Sequence, residues 1–536
     1  MTSTLTVATK IKTSKSKPRT KKTGTQNKAV YRRTVIHPLA GKTKNYEQQI
    51  RTNGTLEHVE NLIEKNAKKS GRPRTFTAKM LIVGLMLAAD DGVLHLSKIV
   101  KTLNSLDTNS KHLLGIKGKI TRRQVEHLYG LIARHLATQN QNYDTLDAFS
   151  DQIVKSSHKT ASKTGSVAVD GTSIESWGTK KTDKNTGEIK NTDTDAKWKK
   201  RSENSPWKKP FFGYDLTAVV QIPDHINQTA PLFARAVRLR PATFEPVPTG
   251  LKAVVEAYKQ IKEENLEPKD VLADREYTLT RDGSGFITPT RALGFEPVFD
   301  LTVNQIGVTN VVRGALIIDG QPHSPSTPPD LRHLVQPPVS APLAARIEYQ
   351  KKIETRSKYA LQRHGKGLKN GAQDYMCPAM SGKISCPLIP LKNPKLVWAS
   401  HAPTQSISKT VCSQKFTRFH AHEIPLNQRE QYGSYPWFQS MSRRALVEGF
   451  FGNLKNEATE NLKRGTIRVR GLAKTGIMVI FSVAATNMRL IAGYKPKAKI
   501  INRTGRKPLA GIKAHSPMRN GDEIGNIGTD VNQSMN

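Results

Sequence analysis

Glu448 stands four residues after Arg444 and seven before Lys455. At 3.6 residues per turn the three fall on one stripe of a helix, a carboxylate between two cations. Taken alone the stripe has an ordinary reading, a solvated helix with an Arg–Glu pair worth roughly 0.2–0.5 kcal/mol. Upstream, however, are two aspartates, each placed at the end of an apolar, strand-like run: Ser-Val-Ala-Val-Asp170 and Asp-Val-Leu-Ala-Asp274. Together Asp170, Asp274 and Glu448 offer the oxygen ligands that magnesium or manganese takes. Two such ions about 3.5–4 Å apart activate a hydroxyl and stabilise the leaving 3′ oxygen of an in-line displacement at phosphorus. Each aspartate by itself has a plainer alternative, Asp170-Gly as a turn and Asp274 beside Arg275 as a surface ion pair. The chain stays basic beyond the stripe, through Lys463, Arg464, Arg468 and Arg470.

Three carboxylates from separate segments need a scaffold to bring them together. Residues 166–170 read as a buried strand. After a polar, basic insertion containing Trp177, Trp198 and Trp207, residues 214–222 and 232–239 read as two more. Residues 251–261 have helical periodicity, 270–274 form a fourth strand and 296–300 a fifth. This order, with the Glu448 helix following later, describes an α/β domain with a mixed sheet over 161–300, resumed over 436–494. Open α/β sheets place their sites at the carboxyl ends of strands. Residues 301–435 are irregular, Pro-rich between Pro322 and Pro342 and then basic, and read as an insertion between the fifth strand and the Glu448 helix. Residues 472–492 form an apolar helix expected to pack back on the sheet, and 495–536 a mobile basic and polar tail.

Ahead of this domain the pattern is helical. Over 46–160, Thr77 can cap one apolar run, residues 94–106 repeat at helical spacing, and Thr121-Arg122-Arg123-Gln124 has the form of a capping box. The basic start at Arg122 and Arg123 suits a helix-turn-helix facing DNA; a plain helical scaffold or dimerisation unit is the alternative. Residues 1–45 carry many Lys and Arg among Thr and Ser and no acid before Glu47, so they read as a disordered basic arm.

The chain has 536 residues, too many for one core, and a formal net charge of +40, which points to a polyanionic partner, nucleic acid before membrane. Three cysteines, Cys377, Cys386 and Cys412, are too few for a disulfide framework and fit a reducing cytoplasm. No signal peptide and no membrane-spanning run is expected, hence a soluble intracellular protein.

Val-Ala-Val-Asp170-Gly-Thr-Ser-Ile-Glu-Ser-Trp-Gly, Val-Leu-Ala-Asp274-Arg-Glu-Tyr-Thr and Val-Glu448-Gly-Phe-Phe-Gly-Asn-Leu-Lys455 resemble the Asp-Asp-Glu (DDE) insertion-sequence transposases of bacteria. Gly-Arg-Pro-Arg-Thr-Phe-Thr from residue 71, Phe-Gly-Tyr-Asp at 212 and the Cys-Pro pairs resemble one subgroup of them, and the likeness runs from about residue 70 to 494. It implies an RNase H-like, integrase-type catalytic fold, with Asp170, Asp274 and Glu448 as ligands to two Mg²⁺ or Mn²⁺ ions. Arg444 and Lys455 would contact DNA near the scissile phosphate, with Arg122, Arg123, Lys463 and Arg464 as further DNA contacts. Related proteins often carry a Tyr shortly before the glutamate, where Ser440 and Met441 stand here.

Cys377, Cys386, Cys412 and His420 could hold zinc as three thiolates and one imidazole. Spacings of nine and twenty-six residues are not those of a compact knuckle, which favours buried reduced cysteines. The expected activity is transposition: binding the terminal inverted repeats as a homodimer, cleaving the ends and joining the 3′-OH groups to target DNA. The alternatives are an RNase H-like nuclease without strand transfer and a transposase-derived DNA-binding protein without catalysis.

Overall fold

The computed structural model describes residues 38–495 apart from 67–73, 138–140, 179, 183–184, 187–188, 201–209, 281–282, 339, 368–371, 390–392, 394, 402, 404–407 and 464. Most of the expected arm, the tail from 496, Trp207 and Arg464 therefore lie outside the described residues.

Among the described residues seven helices come first: α1 (Ala40–Thr52), α2 (Thr55–Asn66), α3 (Ala78–Asp90), α4 (Leu96–Ser105), α5 (Thr108–Leu114), α6 (Arg122–His135) and α7 (Asp144–Ser157). α1 begins inside the stretch read as an arm because Tyr46 and Ile50 bury their side chains and Thr43 bonds back to the Leu39 carbonyl. Local sequence sets the other starts. Thr77 accepts from the Met80 N–H ahead of α3, and the capping box of Thr121 and Gln124 opens α6.

The sheet follows, in the order β4-β5-β1-β7-β8, with β6 also on β5. β1 (Ser166–Glu175) is central, antiparallel to β5 (Phe211–Ile222) and parallel to β7 (Asp270–Ala273). β4 (Lys197–Lys199) and β6 (Ala234–Pro241) pair antiparallel with the outer side of β5, and β8 (Glu296–Phe299) lies parallel to β7. A separate hairpin, β2 (Lys180–Thr182) with β3 (Ile189–Asn191), precedes β4. α8 (Pro246–Glu263) connects β6 to β7, and α9 (Ile287–Ala292) precedes β8. The alternation of strand side chains divides the sheet into two faces. Val167, Val169, Val219 and Val271 pack under α8 with Ala253, Val254 and Ile261. Ala168, Leu216, Val220 and Leu272 face the other way.

That second face is covered by α7 and by α13 (Leu472–Gly493), which also packs on α3 and α6. The N-terminal helices and the sheet thus share one hydrophobic core rather than forming a helical unit with a core of its own. α13 also overturns the expectation that no run reaches membrane-spanning length. It has 22 residues, and an 18-residue window of it has a mean hydropathy of 1.5, but 72% of that window is buried within the protein, as in a central core helix.

Residues 301–434 separate β8 from α11 (Tyr435–Ser442) and α12 (Ala445–Leu454). They are less irregular than their composition suggests. β9 (Val308–Val312), β10 (Ala315–Ile318) and β11 (Gln321–His323) form one small sheet, and β12 (Gln362–His364), β13 (Gln373–Met376) and β16 (Thr417–Phe419) another. β14 (Ile384–Ser385) pairs with β15 (Val397–Trp398), and α10 (Leu343–Ser357) carries Arg356, fully buried against Asp319 at 2.6 Å.

His323, fully buried at the end of β11, has its Nδ1 2.9 Å from the Gln321 carbonyl. Burial, and then the Arg356 charge, hold its pKa down at about 3. The unfolded chain takes up this proton near pH 6.5, so between the two values unfolding binds protons and stability falls as pH falls. Chemical denaturation of wild type between pH 7 and 4 should therefore lose stability more steeply than His323→Asn does. Equal slopes would assign the acid sensitivity to other groups.

Candidate active site

Asp170, Asp274 and Glu448 converge on one guanidinium, that of Arg444. Its Nη2 donates to Asp170 Oδ2 at 3.1 Å and to Asp274 Oδ2 at 3.4 Å, and its Nη1 to Glu448 Oε1 at 2.9 Å. The convergence follows from register. Ala168 on β1 pairs with Leu272 on β7, so two residues further along each strand direction Asp170 and Asp274 emerge side by side on the same face. Asp170 lies within β1, not at its end as expected, since the strand continues to Glu175 through its pairing with β5. Asp274 directly follows β7 and caps the 3₁₀ turn Arg275–Thr278 by accepting from the Arg275 N–H. Behind it, Tyr277 packs so closely on α8 that a Cβ on Gly250 would come within 2.5 Å of its ring.

α12 supplies the third carboxylate. Val447, Phe450, Phe451 and Leu454 are buried, which anchors the helix on β1 and β5 and leaves Glu448 half-exposed on the other side. Arg444 is the residue before the first turn rather than part of a solvated helix face. Its neighbour Arg443 points the opposite way, buried in an ion pair with Asp270 and donating to the carbonyls of Pro223 at 3.0 Å and Asp224 at 2.7 Å. The Ser440 carbonyl and hydroxyl also accept from Arg443, so this turn serves that anchor.

The electrostatics follow from crowding. Burial raises the Asp170 carboxyl to about 6, against the pull of Arg444, with Asp274 and Glu448 adding to the rise. Burial alone would lower Arg444; the three carboxylates outweigh it and raise it. Sequence reasoning missed Glu276, two residues beyond Asp274, whose carboxyl is raised by burial, opposed by Lys199, and raised further by Asp274 and Asp215. Its one sequence signal was the acid inside Asp274-Arg-Glu-Tyr-Thr. Asp215, which sits opposite Ser173 across β5 and β1 and pairs with Lys199 at 2.8 Å, is a second addition.

The other expected contacts are placed differently. Lys455 ends α12 and donates to Thr172 Oγ1 at 2.6 Å and the Ser173 carbonyl at 2.9 Å, fastening the helix to β1. Arg122 pairs with Glu126 at 2.6 Å and Lys463 with Glu457 at 2.7 Å; neither these two nor Arg123 bonds to the three carboxylates. Near Arg122 and Arg123, a groove of about 930 Å³ in the helical layer is lined by Arg51, Arg74, Lys79, Lys117 and Lys119 against the single acid Glu60.

Cys377, Cys386 and Cys412 line one small cavity of about 10 Å³, room for about one water molecule. Burial raises the thiol of Cys377, and raises that of Cys412 to about 11. His420 does not line this cavity; its ring stacks on His422 at 5.6 Å. Among the described residues no three His, Cys, Asp or Glu side chains are arranged to hold a metal ion as they stand. At the three carboxylates the Arg444 guanidinium pairs with each acid. Their chemistry still fits a hard divalent cation: three oxygen donors carry three negative charges against one positive, and the buried Nε of Arg444 has no partner tying the side chain in place.

No family model and no curated protein matches this sequence. Among solved structures, the cryo-EM structure of the piggyBac transposase synaptic complex with hairpin DNA overlaps 90% of this chain and 76% of that one. The TM-score is 0.31 and the identity 10%, a resemblance too loose to bear on what this chain does.

Proposed function

We propose that this chain is a DDE-type DNA transposase that binds the terminal inverted repeats of a mobile element, cleaves its ends and joins their 3′-OH groups to target DNA. The observation that carries the reading is the gathering of Asp170, Asp274 and Glu448 from β1, the end of β7 and α12 onto one point. It is supported by the strand order: β1, β5 and β6 are antiparallel neighbours, β7 and β8 are added parallel on the other side of β1 as in an RNase H-like sheet, and the short β4 is an addition on β5. The net charge of +40 supports duplex DNA as the partner.

In this reading Asp170, Asp274 and Glu448 hold two Mg²⁺ or Mn²⁺ ions, which when bound activate the attacking hydroxyl and stabilise the leaving oxygen. The chain's own contribution is placement. The β1–β7 register sets the distance between the aspartates, the buried face of α12 sets Glu448 against them, and Lys455 keeps that helix seated on β1. The basic groove beside Arg122 and Arg123 would take phosphates of the duplex. Two ends must be handled together, so the working form is a homodimer on DNA, in the cytoplasm and at the nucleoid.

The test is a cleavage and joining assay with the full chain, Mg²⁺ or Mn²⁺, a duplex bearing the repeats that flank the gene, and a target plasmid. Nicks that leave 3′-OH ends, followed by joined products, are expected. Cleavage without joining would replace this reading with a nuclease; binding of the ends without either would replace it with a DNA-binding protein.

A further inference from the structure

Arg444 was expected to meet DNA, yet each of its terminal nitrogens points at a carboxylate of the chain itself. Its side chain is 16% exposed and that of Asp170 19%, while those of Asp274 and Glu448 are 43% and 51% exposed, so the guanidinium sits at the base of the group beside Asp170 with the other two acids at the rim. One positive charge there meets three negative ones and leaves two uncompensated. A guanidinium is normally held by several of its five donors. Here Nε, though buried, has no partner, so only the carboxylates fix the position of the fork.

We infer that Arg444 is a built-in counter-cation: in the DNA-free chain it occupies the place a divalent ion takes, and it gives up that place when a DNA phosphate offers it a new partner. The inference rests on the proposed metal-dependent reading and adds a coupling to it. A guanidinium released from carboxylates is suited to bidentate pairing with a phosphate. Once Arg444 turns outward, three carboxylates are left with no cation among them, and a divalent ion binds where one guanidinium had left the charge incomplete. Metal and DNA then strengthen one another's binding, by the same factor in each direction. Without DNA the site holds a resident arginine and takes the ion weakly. Arg444 acts here as a positioning residue, holding the three acids together until substrate arrives.

The experiment is a Mn²⁺ titration of the full chain followed by electron paramagnetic resonance of the free ion, with and without a short duplex, corrected for Mn²⁺ bound by the duplex alone. Wild type should bind Mn²⁺ weakly by itself and about 10-fold more tightly with duplex, within the usual range of coupling between sites. Arg444→Gln should bind about 10-fold more tightly than wild type without DNA and gain little from the duplex. Lys199→Gln, which removes a nearby positive charge paired with Asp215 and not bonded to the three acids, should stay near wild type. A readout without metal accompanies it: in EDTA at low salt Arg444→Gln should lower Tm, and adding Asp170→Asn should recover part of the loss.

Three results would overturn the inference. If Arg444→Gln binds Mn²⁺ no more tightly than wild type while Asp170→Asn abolishes binding in both, the metal site stands and the counter-cation role fails. Equal tightening by Lys199→Gln would reduce the effect to general charge. Absence of Mn²⁺ binding from every protein, with and without duplex, would remove the metal-dependent reading itself.

Discussion

Asp170→Asn, Asp274→Asn and Glu448→Gln should each slow metal-dependent cleavage and joining by at least about three orders of magnitude, on the scale of losing a preorganised charge at the reacting centre. Each change keeps the shape of the side chain and removes its charge, so binding of duplex ends should stay within a few-fold. The stability readout separates a functional carboxylate from a structural one. Burial and two like charges raise the Asp170 carboxyl to about 6 in spite of Arg444. Its charged form is therefore less favoured in the folded than in the unfolded chain, and at neutral pH Asp170→Asn should melt no lower than wild type. Single-turnover rates on a pre-nicked end, measured beside thermal denaturation, decide the matter. Near-normal rates in any one of the three variants would remove that residue from the site.

The largest stability effect is expected far from the carboxylates, where α7 is clamped to β6. Arg240 donates to both oxygens of Asp147, at 2.8 and 2.6 Å, and Arg238 to both of Asp151, at 2.5 and 3.0 Å. Arg240 and Arg238 are 2% and 4% exposed, and the Arg240 guanidinium also lies 4.3 Å from the centre of the Tyr143 ring. Asp147→Ala would leave Arg240 charged, buried and without its partner, a loss of about 3–5 kcal/mol. That is a large part of a typical folding free energy of about 5–15 kcal/mol. The double change Asp147→Ala with Arg240→Met removes the stranded charge and should recover most of it, since apolar replacements of buried pairs are often near neutral. Urea unfolding of the two variants and of wild type measures this. A single variant within about 1 kcal/mol of wild type would show that water reaches the pair and that the clamp adds little.

Much of this protein is legible in its sequence because the determining signals are local. Apolar runs ending near Asp170 and at Asp274 mark β1 and β7, Thr77 and the Thr121–Gln124 pair mark the starts of α3 and α6, and the spacing of Val447, Phe450, Phe451 and Leu454 turns Glu448 away from the core. Residue types alone pick out the three carboxylates that the structure brings onto Arg444, and composition gives the net charge of +40.

What only the tertiary structure decides are relations between segments far apart in the chain, which a local pattern cannot encode. Periodicity tells which face of a helix is buried but not what it meets. It cannot say that Arg443 turns to Asp270 while the adjacent Arg444 turns to Asp170, or that Lys455 is spent on the β1 backbone. The helical segments look like a separate unit in sequence. Yet α13, arriving more than three hundred residues later, packs against both them and the sheet and makes one core of the two. The same holds for the site: Asp170 and Asp274 stand side by side only because β1 and β7 pair in parallel at Ala168 and Leu272, a register set by packing both faces of the sheet at once.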